Sequence, residues 1–189
     1  MRKVKLQVQL SVDGFAGGPE GQMDHLTWNW DEALKNYVTE LTDTSDTIIM
    51  GGVLYQGMSG YWSSMKEDDE QYSFATKMNT YDKVVFSHSI QEPLTWNNSR
   101  LATGDAAAEI RELKARPGKD ILVYGGARFV SGLIRENLID EYHLFVNPVV
   151  IGNGLSIFAS VDGAFKLELA AARGFACGIA VLEYRPKRV

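Results

Sequence analysis

Apolar and polar residues alternate at the start of the chain, and this pattern predicts a β-strand. Every second residue from position 4 to position 12 is apolar, and the residues between them are Lys5, Gln7, Gln9 and Ser11. A period of two places all the apolar side chains on one face of a strand. The polar face is unusual for a central strand, and solvent, a cavity or a partner subunit could each meet it. Asp13-Gly14 then marks a turn.

Helical spacing follows in three places. The first helix is predicted from about Asp31 to Thr42, with Asn29 and Glu32 resembling a capping arrangement at its start. A weaker helix is predicted from Asp68 to Met78, and Asp105 can cap a third helix that stops before Pro117-Gly118. The apolar stripe of the first helix consists of Leu34, Tyr37, Val38 and Leu41.

The second half of the chain carries the pattern of a βαβ unit. Short apolar strands are predicted at residues 47–50, 83–87, 121–124 and 142–146, with a helical stripe at residues 129–134 between the last two. Strand, helix and strand at this spacing give parallel strands. Two strand-like runs flank Arg173-Gly174 and predict an antiparallel hairpin. The sequence therefore predicts an α/β fold with a mostly parallel central sheet, an antiparallel C-terminal hairpin and helices on both faces.

Composition narrows the class of protein. A chain of 189 residues is long enough for one substantial core and short for two. The net charge of −5, with both signs interspersed, argues against a nucleic-acid partner. The single cysteine, Cys177, excludes an intramolecular disulfide and fits a reducing cytoplasm. No signal peptide or apolar run of membrane-spanning length is apparent, so we expect a soluble cytoplasmic protein without a membrane partner.

A glycine pair marks the best candidate for a binding site. Gly125-Gly126 lies where a predicted strand ends and a helix begins, and the free N–H groups of a helix N-terminus attract anions. Arg128 adds a charge in a geometry that suits phosphate. A tight turn without a ligand is the alternative. Gly51-Gly52 repeats the pattern at another strand end, and two such turns favour a dinucleotide site, although the G-x-G-x-x-G fingerprint is missing.

Several motifs in order resemble the dihydrofolate reductase superfamily, and most of all the reductase domain of the bifunctional riboflavin-biosynthesis deaminase-reductase. Ser11-Val12-Asp13-Gly14-Phe15-Ala16 resembles the first-strand motif of that superfamily, and Ile48-Ile49-Met50-Gly51 resembles its second-strand motif. Residues 123–127, 138–142 and 148–158 match the signature of the reductase domain. The resemblance covers nearly the whole chain and implies one three-layer domain over residues 1–189.

The resemblance implies NADPH as the hydride donor. It implies that Gly125, Gly126 and Ala127 contact the pyrophosphate and that Arg128 lies near the 2′-phosphate. Ser87 and His88 follow the strand near the adenosine end and are candidates for the same phosphate. Gly51 and Gly52 belong to the second-strand turn. Gly52 departs from the family, which usually has an arginine there, and this departure weakens the predicted preference for NADPH over NADH.

Two carboxylates are candidates for the proton donor that reduction of a C=N bond requires. Asp31 lies about 70° from the centre of the apolar stripe of its helix, whereas Glu32 lies almost opposite it, so Asp31 can face the interior. The alternative is that Asp31 only complements the helix dipole. Asp13 shares the polar face of the first strand with Ser11, and its alternative role is that of a turn-forming aspartate.

Three aromatic side chains, Trp28, Trp30 and Tyr55, are candidates for a flat wall against a substrate ring, although aromatic residues more often belong to the core. The three histidines are not at metal-ligand spacing, so no metal is expected. The predicted function is NADPH-dependent reduction of a small pyrimidine- or pterin-like substrate, resembling 5-amino-6-(5-phosphoribosylamino)uracil reductase. Dihydrofolate reduction and a non-catalytic nucleotide-binding module are the alternatives, and the family implies a possible homodimer.

Overall fold

The computed structural model describes residues 1–187, which form eight strands and five helices. In chain order they are β1 (Val4–Leu10), α1 (Glu32–Asp43), β2 (Ser45–Gly51), α2 (Gly52–Ser63), α3 (Tyr72–Thr80), β3 (Asp82–Phe86), β4 (Ser99–Leu101), α4 (Ala106–Ala115), β5 (Asp120–Val123), α5 (Ala127–Arg135), β6 (Glu141–Val146), β7 (Leu167–Gly174) and β8 (Ala180–Pro186).

All eight strands belong to one sheet, in the order β4-β3-β2-β5-β1-β6-β8-β7. The strands β1 to β6 are parallel, and β1 lies between β5 and β6. The hairpin of β7 and β8 continues the sheet, with β8 antiparallel to β6. This topology confirms the predicted α/β architecture. The carboxyl ends of the six parallel strands meet at one edge of the sheet, the carboxyl edge, and their amino ends meet at the opposite amino edge.

Helices cover both faces of the sheet because apolar residues point to both sides of its central strands. In β5, Ile121 and Val123 join the cluster of α4 and α5, whereas Leu122 joins the cluster of α1. Alternate residues of a strand point to opposite faces, so α1 lies on the face opposite α4 and α5. A third cluster packs α2 and α3 against β2 and β3. The prediction of helices on both faces is confirmed.

The polar face of β1 is covered by α1 from the same chain. Lys5 and Gln7 are both buried, with 7% and 5% of their surface exposed. Lys5 Nζ donates to Thr44 Oγ1, just after α1, at 2.8 Å. Gln7 lies beside His143 of β6, whose Nδ1 is 2.7 Å from the Tyr37 hydroxyl of α1. The polar face of β1 therefore meets neither solvent nor any of the other surroundings that the sequence left open; it meets an interior polar layer beneath α1.

Some predictions of local structure were wrong. The N-cap of α1 is Asp31 and not Asn29, because Asp31 Oδ1 accepts the N–H of Leu34 at 2.9 Å. The weaker helix begins at Tyr72 and not at Asp68. Arg173-Gly174 lies inside β7, and the hairpin turns at residues 175–179, where Gly178 has a φ of +94°.

The helix α2 and the short strand β4 were not predicted. The sequence does not predict α2 because it contains glycines at positions 52, 57 and 60, and each glycine lowers helix propensity by about 1 kcal/mol relative to alanine. Tertiary packing compensates: Tyr55 is buried and anchors the cluster that α2 shares with α3. Within residues 1–187, every helix is too short or too polar to cross a membrane.

Candidate functional site

Two glycine turns approach each other at the carboxyl edge. Gly51 ends β2, and Gly125-Gly126 follows the neighbouring strand β5. Gly125 and Gly126 have φ values of +118° and +83°, a backbone conformation that side chains other than glycine rarely adopt. A Cβ atom at position 126 would lie 3.8 Å from the N and Cα atoms of Gly51. The two backbones therefore lie side by side at this edge.

Each turn opens a helix whose N-terminus lacks a side-chain cap. Gly51 is the N-cap of α2 and Gly126 is the N-cap of α5, and neither helix has a side-chain hydrogen bond at its cap. In contrast, Asp31 and Asp105 cap α1 and α4 with their carboxylates. The first N–H groups of a helix carry partial positive charge and have no partner within the helix. The two uncapped N-termini on adjacent strands can therefore bind anionic groups such as phosphates.

The predicted cofactor residues surround these two helix ends. Ala127 begins α5, and Arg128, the next residue, is exposed. Ser87 follows β3, the strand next to β2, and its Oγ accepts the N–H groups of Ser89 and Ile90, both at 3.2 Å. His88 is exposed. The structure thus places these residues at the carboxyl edge, and their contacts with a cofactor stay a prediction.

Gly52 is confined by its neighbours. A Cβ atom at this position would lie 2.5 Å from Ser87 Oγ, 2.8 Å from Ser87 Cβ and 3.1 Å from the Ile90 side chain. These distances are too short for a side chain to begin at position 52 without displacing Ser87. The resemblance implies an arginine at position 52, and the glycine that stands there instead lets α2 pack closely against the turn after β3.

Asp13 holds two loops together at the end of β1. Its Oδ2 accepts the N–H of Gly152 at 2.7 Å and its Oδ1 accepts that of Ile151 at 3.3 Å. The Ser11 hydroxyl and these N–H groups lower the pKa of Asp13. Around it, Phe15 and Ser156 form an antiparallel bridge. The first-strand motif and the 148–158 motif, distant in sequence, therefore contact each other in space.

Asp31 is held by backbone N–H groups on both oxygens. Its Oδ1 accepts from Leu34 at 2.9 Å, and its Oδ2 accepts from Cys177 in the β7–β8 turn at 2.8 Å. These N–H groups lower the pKa of Asp31 and favour the carboxylate. The carboxylate connects α1 to the hairpin, and a group held in this state is a poor proton donor near neutral pH. Its predicted catalytic role stays a prediction.

The three predicted aromatic residues lie in different surroundings. Trp28 is 55% exposed and stacks on Trp30 with ring centroids 6.0 Å apart, and Trp30 stacks on the buried Phe145 at 6.3 Å. This row of rings runs from the core to the surface. Tyr55, in contrast, is buried, and its hydroxyl accepts the N–H groups of Thr95 and Trp96. Trp28 and Trp30 can offer a surface to a planar ring, whereas the position of Tyr55 gives it a structural role.

Asn147 is a site-forming residue that the sequence reasoning missed. It is fully buried at the end of β6, where Nδ2 donates to Gln9 Oε1 at 2.9 Å and Oδ1 accepts the N–H of Thr27 at 3.0 Å. It therefore fixes the segment that carries Trp28 and Trp30 onto the ends of β1 and β6. A polar residue directly after an apolar strand and before Pro148 was the signal available in the sequence.

No cluster of three or more His, Cys, Asp or Glu side chains that could hold a metal ion occurs within residues 1–187. The carboxyl edge carries N–H groups at two helix ends, the exposed Arg128, stacked aromatic rings and two carboxylates held by backbone N–H groups.

Comparisons with known proteins agree with this geometry. The family model described as the RibD C-terminal domain matches residues 2–181. The uncharacterized protein YyaP of Bacillus subtilis (strain 168) is 27% identical over 183 residues, which cover 97% of this chain and 94% of YyaP.

Solved structures share the fold. The diaminohydroxyphosphoribosylaminopyrimidine deaminase/5-amino-6-(5-phosphoribosylamino)uracil reductase of Thermotoga maritima superposes with a TM-score of 0.67 at 20% identity, covering 98% of this chain and 57% of that enzyme. The dihydrofolate reductase of Enterococcus faecalis, complexed with NADP(H), superposes with a TM-score of 0.64 at 12% identity, covering 98% and 97%. These matches confirm the dihydrofolate reductase-like fold. The chain spans little more than half the length of the Thermotoga enzyme.

Proposed function

Because the chain belongs to the RibD C-terminal domain family, we propose that it is an NADPH-dependent reductase of a small pyrimidine- or pterin-like substrate. The activity would resemble that of 5-amino-6-(5-phosphoribosylamino)uracil reductase, the activity named for the Thermotoga enzyme. The observation that carries the proposal is the pair of uncapped helix N-termini, of α2 and α5, on adjacent strands of the carboxyl edge.

The residues present fit the phosphates of a dinucleotide. Gly125 and Gly126 let a phosphate approach the backbone closely, and the N–H groups of Ala127 and Arg128 point out of the first turn of α5. The exposed Arg128 guanidinium is suited to a terminal phosphate such as the 2′-phosphate. We assign Gly51, Gly52, Ser87 and His88 to the adenosine side, where the first turn of α2 offers further donors.

NADPH, when bound, would supply the hydride, and this chain would orient the ring that receives it. Trp28 and Trp30 form the exposed end of a stacked aromatic row, and a flat heteroaromatic substrate can extend that row. Asn147 holds the segment of these tryptophans in place through the N–H of Thr27. Because substrate stacking and cofactor binding both use the carboxyl edge, the two ligands can meet there.

A second candidate, a nucleotide-binding module without catalysis, is favoured by one specific observation. Both oxygens of Asp31 and both oxygens of Asp13 already accept backbone N–H groups. If no other acid serves the reaction, the chain would bind NADPH and leave it unchanged.

The test begins with an NADPH titration that follows the fluorescence of the nicotinamide and of the tryptophans. We expect saturable binding, with NADH weaker; an absence of saturation at about 1 mM, the upper end of ordinary enzyme affinities, would contradict the proposal. NADPH oxidation is then measured with a panel of pyrimidines and pterins, including dihydrofolate. Turnover of a pyrimidine supports the reductase, preferential turnover of dihydrofolate supports dihydrofolate reduction, and binding without turnover supports the module. Size-exclusion chromatography of the same sample tests the predicted homodimer.

A further inference from the structure

The strand β7 is the last strand of the sheet, and within residues 1–187 no strand pairs with its outer side, the side away from β8. Natural sheets protect a last strand by keeping it short or by placing lysine or proline in it, because its free N–H and C=O groups readily pair with another strand. At the opposite end of this sheet, β4 is only three residues long. In contrast, β7 has eight residues and contains neither lysine nor proline. The outer side of β7 is therefore long enough and open enough to accept a further strand.

The side chains of β7 are largely uncovered as well. Six of its eight residues are exposed. Among them is Leu169, which keeps 53% of its surface exposed, and the small residues Ala170 and Ala172. Exposed apolar side chains next to unpaired backbone groups are typical of a strand that associates with another protein chain.

The two charged residues of β7 lie on the same face of the sheet. Glu168 is opposite Arg185 of β8, and Arg173 is opposite Val181. Opposite residues of an antiparallel pair point to the same face, and so do residues four apart in a regular strand. Since Val181 packs in the cluster of α1, Glu168 and Arg173 both point to the face that α1 covers. A register shift in the middle of β7 makes this possible for two residues that are five apart.

We propose that two copies of this chain associate through β7, with the two β7 strands antiparallel and the two sheets joined into one. A twofold axis perpendicular to the sheet, between Ala170 and Ala171, places Glu168 opposite Arg173 of the partner subunit. The two members of this pair point to the same face, as opposite residues of a strand pair must. Because a twofold interface uses the same surface on both subunits, the pair of opposite charges occurs twice.

The other face of the proposed strand pair fits the same axis. Leu169 is opposite Tyr184 of β8, and Ala172 is opposite Leu182. Leu182 and Tyr184 pack against the cluster of α4 and α5, so Leu169 and Ala172 both point to that face. The axis places Leu169 opposite Ala172 of the partner subunit, which pairs a large apolar side chain with a small one and covers an exposed leucine.

Charge favours this axis over others along β7. An axis at Glu168 would place two glutamates directly opposite each other, and an axis at Arg173 would do the same for two arginines. Like charges directly opposite each other destabilise a strand pair. Arg173 lies 3.7 Å from Glu183 of its own chain, but its side chain is 56% exposed, so the guanidinium can also contact a carboxylate of the partner subunit.

The proposed interface is distant from the candidate functional site. Three strands, β1, β6 and β8, separate β7 from β5, whose carboxyl end carries the turn of Gly125 and Gly126. Association through β7 therefore leaves this turn uncovered. The inference depends neither on the cofactor nor on the substrate of the protein.

The first test is charge complementation, measured by sedimentation velocity of the full chain from about 1 to about 100 μM, where interfaces of modest size associate. We expect the wild type to dimerise. Glu168→Arg places arginine opposite arginine, and Arg173→Glu places glutamate opposite glutamate, so each variant alone should dimerise about tenfold more weakly. An equimolar mixture of the two variants restores both pairs of opposite charge and should dimerise like the wild type. A wild type that stays monomeric, or a mixture that associates no better than its components, would overturn the proposal.

The second test leaves both charged residues of β7 unchanged. Leu169→Lys replaces an exposed leucine by the residue with which natural sheets prevent pairing of a last strand. This variant should be monomeric at concentrations where the wild type is dimeric, with an unchanged circular dichroism spectrum. Val53→Lys, at an apolar position of α2 that is 87% exposed, is the matched control and should dimerise like the wild type. If both variants dissociate the dimer equally, or if neither does, the subunits associate through another surface and the proposal is wrong.

Discussion

The two edges of the parallel sheet use their polar groups in opposite ways. At the amino edge the charged side chains pair with one another: Arg2 with Asp46, Lys5 with Asp120, and Lys114 with Asp140. At the carboxyl edge two helix N-termini begin at glycines without a side-chain cap, and Arg128 is exposed. An edge whose donors and acceptors are paired can only stabilise the fold, whereas an edge with free donors can also bind a ligand. Substitutions at the two edges should therefore change different quantities.

The largest effect is expected from Lys5→Ala at the amino edge. The Lys5 ammonium is buried and contacts Thr44, Asp120 and Glu141. Its removal leaves the carboxylates partly unpaired, and breaking a buried ion pair on one side costs about 3 kcal/mol. Chemical denaturation should show this loss, while the Kd for NADPH, measured under conditions where the variant is folded, should stay within about twofold of the wild type.

Lys3→Ala is the matched control for that loss. Lys3 contacts Glu141 at 2.8 Å, but its side chain is 51% exposed. Exposed ion pairs contribute about 0–1 kcal/mol, so this variant should remain close to the wild type. Equal losses from Lys3 and Lys5 would show that burial does not set the contribution of this edge.

The loss of folding stability at acidic pH should depend on Glu141. His143, Lys3 and Lys5 lower the pKa of Glu141 to about 2, below its usual 4.5. A lowered carboxyl pKa contributes stability that is fully present above pH 4.5 and is lost as the pH falls toward 2. Over that window the wild type should lose about 2 kcal/mol more than Glu141→Gln. If the free energy of unfolding fell equally in the two proteins over this pH range, Glu141 would not be the group responsible.

At the carboxyl edge, Arg128→Ala should weaken NADPH binding without destabilising the fold. In the proposed complex this variant would lose a charge-assisted hydrogen bond to a phosphate, so the Kd for NADPH should rise about tenfold. The free energy of unfolding should change by less than about 0.5 kcal/mol, as for most exposed positions. Arg111→Ala on α4, an exposed arginine 3.9 Å from Glu136, is the control and should leave the Kd unchanged. If both variants weaken binding equally, only the overall charge is involved.

The contrast between the edges also explains how far the sequence could be interpreted. A period of two predicted β1, short apolar runs predicted β2, β3, β5 and β6, and helical spacing predicted α1, α4 and α5, because each of these patterns lies within one element. The helix α2 escaped prediction because three glycines obscure its propensity, and only the packing of Tyr55 and its neighbours shows why it forms. Local periodicity carries no information about such contacts between distant segments.

The candidate site was predictable only where its features are local in sequence. Glycine pairs at strand ends are local features, so Gly51-Gly52 and Gly125-Gly126 could be found, and the structure brings them together. The surroundings of Asp31 could not be found, since its second partner, the N–H of Cys177, is 146 residues away. The polar residues of β1 were equally ambiguous, because Tyr37 and His143 are neighbours only in space.

Asp31 is the residue at which the two proposed functions, a reductase and a binding module without catalysis, predict the most different results. Asparagine is also a good N-cap, so Asp31→Asn keeps the bond to the N–H of Leu34 and should cost less than about 1 kcal/mol. Asp31→Ala loses both backbone bonds and should cost more, up to about 2 kcal/mol. A structural cap predicts that Asp31→Asn retains both NADPH binding and turnover. A proton donor predicts that it retains binding and loses turnover, because an amide cannot supply the proton. Measuring turnover and the free energy of unfolding in both variants therefore distinguishes a proton donor from a structural N-cap at position 31.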